Sequence, residues 1–140
     1  MKVTFSFYKV SPQLPKQARL KKFIAELFRL ENKVAEVVSF IFCGDEYLLS
    51  INQEFLNHDT LTDIVTFNLR TKNFPIIGEI YISIERIIEN AHDFGAEFIE
   101  ELHRVIFHGV LHLCGYKDKT IMQKNIMRQK EEQYLKLYFS

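Results

Sequence analysis

Cysteine, glycine and proline are scarce in this chain, and each scarcity excludes a class of protein. Only 2 Cys occur in 140 residues, Cys43 and Cys114. That is too few for the disulfide framework of a small secreted domain, so reduced, buried thiols are expected. With 5 Gly and 3 Pro against 47% hydrophobic and 26% charged residues, the composition is not that of a disordered or low-complexity segment. No apolar run approaches the roughly 20 residues needed to span a bilayer. At the start, Val3, Phe5 and Phe7 alternate with Thr4, Ser6 and Tyr8. This is a strand pattern and not that of a signal peptide, and the expected location is the cytoplasm.

What is present in quantity is apolar: 13 Phe and 6 Tyr join the aliphatic residues, enough to build one substantial core without staples. The formal net charge is zero, with 18 Lys+Arg against 18 Asp+Glu, yet the distribution along the chain is uneven. Both ends are basic and the middle is acidic. Two readings stand on charge alone: basic ends that meet a polyanion, or solvated helix faces.

Periodicity sketches the elements. After the first strand, Pro15 opens a helical stretch in which Leu20, Phe23, Ile24, Leu27 and Phe28 recur at helical spacing. Residues 36–42, EVVSFIF, are β-branched and aromatic and read as a strand. Asp45 is the expected cap of a short helix through YLLSINQEFL. Two further strands are expected over 64–69 and 78–84, then a helix capped near Ser83 and broken near Gly95. A strongly apolar helix follows from Glu97 to Cys114, stopped by Gly115, and a charged amphipathic helix from about Thr120 to Tyr138 closes the chain. The expectation is one α+β domain over residues 1–140, a four-stranded mixed sheet packed with about five helices.

The chemistry concentrates in HGVLHLCGYKD, residues 108–118. Two histidines four apart on a helix stand one above the other, so their imidazoles can reach one ion. Gly115 can adopt the left-handed conformation that ends the helix and reverses the chain, carrying Asp118 back to the same point. Two imidazoles and one carboxylate leave a fourth position open, which is the layout of a catalytic zinc and not a structural one. The spacing H-x3-H-x2-G-x2-D is that of the extended metzincin motif with Asp in place of the last His.

A pair of His at i, i+4 is by itself more often ordinary polarity than a metal site. Here Glu101, Arg104, His108 and His112 form one polar stripe on an otherwise apolar helix, and buried polar groups need partners. His103 falls off the stripe, and His58 and His92 have no partner at ligand spacing. The zincin peptidases place a general-base Glu directly after the first His, and that position is Gly109, which disfavours peptide hydrolysis.

These residues resemble the YbeY family of endoribonucleases and rRNA maturation factors. Its signature reads H-G-x-L-H-L-x-G-Y-D-H, where residues 108–118 read HGVLHLCGYKD. Residues 62–67, TDIVTF, resemble its T-D-V-L-S-F strand, residues 78–83, GEIYIS, its G-D-I-x-I-S strand, and Ile51-Asn52 its L-N. The resemblance implies metal-dependent cleavage of single-stranded RNA, with small-subunit rRNA 3′-end maturation and ribosome quality control as its setting. It implies His108 and His112 as zinc ligands, with Asp118 where the family has a third His. Leu56 stands where the family has an Arg, a natural phosphate clamp. Arg104, on the histidine stripe, is the candidate to replace it as an RNA contact.

The reading is therefore a zinc-dependent endoribonuclease with RNA as partner, nickel or manganese remaining open as the metal. Asp63 and Glu79 are candidates to orient a histidine or act as base, or else are strand-end residues. The alternative is a non-catalytic ribosome-assembly factor whose metal fixes the helix and turn.

Overall fold

The computed structural model describes residues 1–58 and 61–140. The elements run β1 (Lys2–Phe7), α1 (Gln17–Leu30), β2 (Ala35–Cys43), α2 (Asp45–Leu56), β3 (Ile64–Asn68), β4 (Ile76–Ser83), α3 (Ile84–Phe94), α4 (Phe98–Leu113) and α5 (Ile121–Phe139). The strands form one sheet in the order β1-β2-β4-β3. β1 and β4 lie parallel to β2, while β3 is antiparallel to β4, so the sheet is mixed. The α+β architecture expected from periodicity, with its four strands and five helices, is the one observed.

Strict alternation along the strands assigns the two faces. Val38, Phe40 and Phe42 of β2 and Ile80 and Ile82 of β4 are fully buried in the main core, with Leu20, Ile24 and Leu27 of α1 and Ile106, Val110 and Leu111 of α4. The other face carries a smaller cluster of Cys43, Leu48, Ile51 and Val65 under α2, rimmed by Tyr47, Phe67 and Tyr81. A side-chain period of 2 forces this division, because neighbouring residues of a strand cannot share a face.

Two glycines set how closely α4 approaches the sheet. A Cβ at Gly109 would lie 2.9 Å from Cδ1 of Ile64 and 3.0 Å from Cγ2 of Ile80. One at Gly78 would lie 2.5 Å from Cδ1 of Leu113. Helix and strand meet over bare backbone at both points. Gly109 thus faces the sheet, and the place of a peptidase's general base is taken by helix–sheet packing.

Two local expectations are corrected. Gly44, and not Asp45, caps α2; Asp45 is its first helical residue. A carboxylate from α3 takes over the capping, since Oε1 of Glu85 accepts the Asp45 N–H at 2.8 Å. The Asp45 side chain is thereby free to accept from Ser83 Oγ at 2.7 Å and Arg86 Nε at 3.1 Å. Helix α1 begins two residues after Pro15, because Lys16, in the left-handed region at φ 54, supplies the carbonyl for the first helical bond from Leu20. Ser83 does cap α3, Gly95 closes it, and Thr120 opens α5 with a capping box to Gln123. Among the described residues no helix is long and apolar enough to cross a membrane.

Candidate metal centre and its groove

The centre begins with the way α4 ends. Gly115 at φ 106 reverses the chain, its N–H bonding to His112 O at 3.0 Å while Tyr116 N–H bonds to Leu111 O at 3.1 Å. This pair of bonds is the Schellman motif, and it fixes where the next residues go. The Tyr116 carbonyl returns over His112 and accepts from its Nδ1 at 2.9 Å. Two residues on, Oδ2 of Asp118 lies 3.2 Å from Nε2 of His108 and 3.3 Å from Nε2 of His112. The donor atoms of these three residues all lie within 4.8 Å of one another.

The outer nitrogens are occupied. Nδ1 of His108 donates to Oε2 of Glu131, on α5, at 2.6 Å. A carbonyl and a carboxylate can only accept, so Nδ1 of each ring carries a proton, and Nε2, on the Asp118 side, is the atom left to ligate an ion. Two neutral imidazoles and a carboxylate, each ring oriented by an outer acceptor, is the donor set that divalent transition metals take. The residues fit a metal ion, and His108, His112 and Asp118 could hold one.

A groove of about 830 Å3 opens beside these three residues. Its floor is the α4 stripe, and Glu101, Arg104, His108 and His112 all line it. One wall is α5, with Lys124, Arg128 and Glu131; the other combines the ends of α2 and α3 with the start of β3. Burial raises the pKa of Asp63 on that second wall against the pull of His108, and its Oδ2 accepts from Nδ2 of Asn90 at 3.1 Å. For Glu101, burial likewise outweighs Arg104 and raises the pKa. At His108 burial opposes the charged ring, but the bond and charge of Glu131, with Asp118 and Asp63, prevail and raise its pKa.

The remaining residues singled out in the sequence are dispersed. Glu79 lies on the α2 face of the sheet, accepts from the Tyr81 hydroxyl at 3.0 Å and does not line the groove. Arg104 is in the groove floor but held by carboxylates, 2.7 Å from Glu132 and 3.5 Å from both Glu101 and Glu131. It is not free to replace a missing clamp, while Leu56 does line the wall. His103 is buried off the stripe, donating from Nδ1 to Ile99 O at 2.7 Å and stacked on Tyr138. His92 is exposed, whereas His58, set aside in the sequence as ordinary, lines the groove.

Two residues of the site escaped the sequence reading. Glu131 is 5% exposed and falls on the stripe of Met127, Tyr134, Leu135 and Tyr138. A lone carboxylate on that buried face of α5 was a signal available in the sequence. Glu31 is the second. Its carboxylate accepts from the hydroxyl of Tyr116 at 2.7 Å, from Lys130 at 3.2 Å and from the Tyr134 hydroxyl, so it anchors the turn that carries the Tyr116 carbonyl. The end of α1 gives no such hint.

A helix-borne histidine pair completed by a carboxylate from the following turn, laid across a small mixed sheet, defines an α+β protein with a candidate metal centre. Comparison with known proteins narrows this to one family. The family described as Endoribonuclease YbeY matches residues 9–138. Endoribonuclease YbeY of Flavobacterium psychrophilum is 47% identical over 131 residues, covering 94% of this chain and 93% of the relative. That of Christiangramia forsetii is 48% identical over 125 residues, covering 89% and 87%. The solution structure of the Thermotoga maritima protein TM1509 superposes with a TM-score of 0.63 at 26% identity, covering 99% of this chain and 89% of that one. The chain belongs to the Endoribonuclease YbeY family.

Proposed function

We propose that this protein is a metal-dependent, single-strand-specific endoribonuclease of the cytoplasm, acting in small-subunit rRNA 3′-end maturation and ribosome quality control. The observation that carries the reading is the convergence of two Nε2 atoms on one Asp118 oxygen, with both Nδ1 atoms already bonded. His108, His112 and Asp118 hold the ion, and zinc suits this nitrogen-and-oxygen set. When bound, the ion supplies Lewis acidity towards a phosphoryl oxygen and acidifies water. Glu131 and the Tyr116 carbonyl keep the two rings in the tautomer that binding requires. Asp63, a half-buried groove carboxylate bonded to Asn90 and to no Lys or Arg among the described residues, is assigned the role of proton acceptor at its side-chain oxygens.

Cleavage of a single-stranded oligoribonucleotide by wild type and His112→Ala, each with and without chelator, tests the reading. Cutting only by untreated wild type is expected; equal cutting in all four reactions removes it. The sequestration of Arg104 by Glu101, Glu131 and Glu132 favours a second reading, a ribosome-assembly factor whose metal braces the α4–α5 turn. Under that reading wild type binds ribosomal subunits without cutting RNA, and removal of metal lowers Tm.

A further inference from the structure

Away from the metal site, a polyanion entering the groove meets carboxylates. Glu101 is on the floor, Glu131 on the α5 wall and Asp63 on the second wall, and the charge of Arg104 is spent on Glu101, Glu131 and Glu132. The cations left over are both on the α5 wall. Lys124 and Arg128 are four residues apart, so they project from one face of the helix. Lys124 makes no ion pair among the described residues. Arg128 is 59% exposed, and its one ion-pair partner among the described residues, Oε1 of Glu132, sits 3.9 Å away while lying 2.7 Å from Arg104.

The second wall has a different chemistry. Phe94, the last residue of α3, is 67% exposed and lines the groove one helical turn beyond Asn90. Apart from the imidazoles it is the one aromatic ring among the described lining residues. A groove with a cationic wall, an aromatic wall and a metal site between them matches the two halves of a nucleotide.

We propose that the groove orients one nucleotide of single-stranded RNA, its phosphates gripped by Lys124 and Arg128 on α5 and its base stacked on Phe94 of α3. This rests on the ribonuclease reading and assigns which wall the backbone follows and which wall the base meets. Charge fixes the phosphate side, since beyond the metal site Glu101 on the floor and the Asp63 wall repel it. Phe94 fixes the base side and supplies strand selectivity, because a paired base is stacked within its duplex and cannot lie on the ring unless flipped out.

Fluorescence anisotropy on a short single-stranded oligoribonucleotide, and on the same ribose-phosphate chain without bases, tests the assignment across a salt series. Lys124→Ala/Arg128→Ala is expected to weaken binding of both oligomers and to lower the salt slope by about 1.4, the value for two single-strand phosphate contacts. Phe94→Ala is expected to weaken the intact oligomer roughly tenfold with an unchanged slope, and to leave the base-free oligomer unaffected. Lys136→Ala, on α5 but outside the groove, is the control. An unchanged salt slope in the double variant, or an equal effect of Phe94→Ala on both oligomers, overturns the assignment while wild type still binds RNA. A wild type that neither binds nor cuts RNA overturns the ribonuclease reading itself, and this orientation with it.

Discussion

Nδ1 of His108 donates a 2.6 Å hydrogen bond to Oε2 of Glu131, tying the helix of the histidines to the terminal helix across 23 residues of chain. The bond orients the ring and sets its tautomer, and the carboxylate strengthens the ring as a ligand. Partners of this kind typically contribute 10–100-fold to metal affinity. Glu131→Gln should therefore weaken metal binding by about that factor in chelator competition, while the isosteric amide keeps the helix in place. Unchanged affinity would mean that the bond serves α4–α5 packing alone.

A second tie runs through Glu31. Burial alone would raise its pKa, but the bonds from Tyr134, Tyr116 and Lys130 prevail and hold the carboxyl below the usual carboxylate range. A depressed folded-state pKa contributes stability that is present above the unfolded value of about 4.3 and lost as pH falls through the folded one. Glu31→Gln should lower Tm near neutrality by on the order of 5 °C, a gap that narrows below pH 4. Thermal melts of both proteins at pH 7 and pH 3 decide it. A gap of constant size would show that the charge of Glu31 is not what holds the turn.

The approach of α4 to the sheet gives a prediction about packing. A methyl group at Gly109 or Gly78 meets Ile64, Ile80 or Leu113 at 3.0 Å or less. Overfilling a packed interior costs about 1–3 kcal/mol, so Gly109→Ala and Gly78→Ala should each lower stability by that amount in denaturant titrations. Wild-type stability in both would show that the helix can lift off the sheet freely.

Burial, with Asp45 beside Cys43 and Glu31 beside Cys114, pushes both thiols up to about 12. Thiolate is the reactive form. A disulfide-exchange reagent at pH 8 should leave native protein unmodified and titrate both thiols once denaturant is added. Rapid reaction of the native protein would contradict the burial of Cys43 and Cys114.

Much of this was legible in the sequence because it is local. The strands declare themselves by period 2, and α4 by an apolar run with one polar stripe. The arrival of Asp118 follows from a glycine at the end of that helix, a relationship spanning only eleven residues of chain. What was not legible is long-range. Glu131 reaches His108 because α5 packs on α4, and Glu31 reaches Tyr116 because the end of α1 lies beside the α4–α5 turn. Glu79 looked like a strand-end carboxylate near the site, but residue parity in β4 sends it to the face of Tyr81 and α2. Asp45 looked like a cap because a cap is usually local; here Glu85, 40 residues away, performs that task.

His108, His112 and Asp118 are expected to act together on one ion. Elemental analysis of the purified chain, without added metal, measures this directly. About one equivalent of zinc per chain is predicted for wild type and none for His112→Ala or Asp118→Ala, each checked by circular dichroism to be folded. Metal-free wild type, or variants that keep a full equivalent, would contradict it.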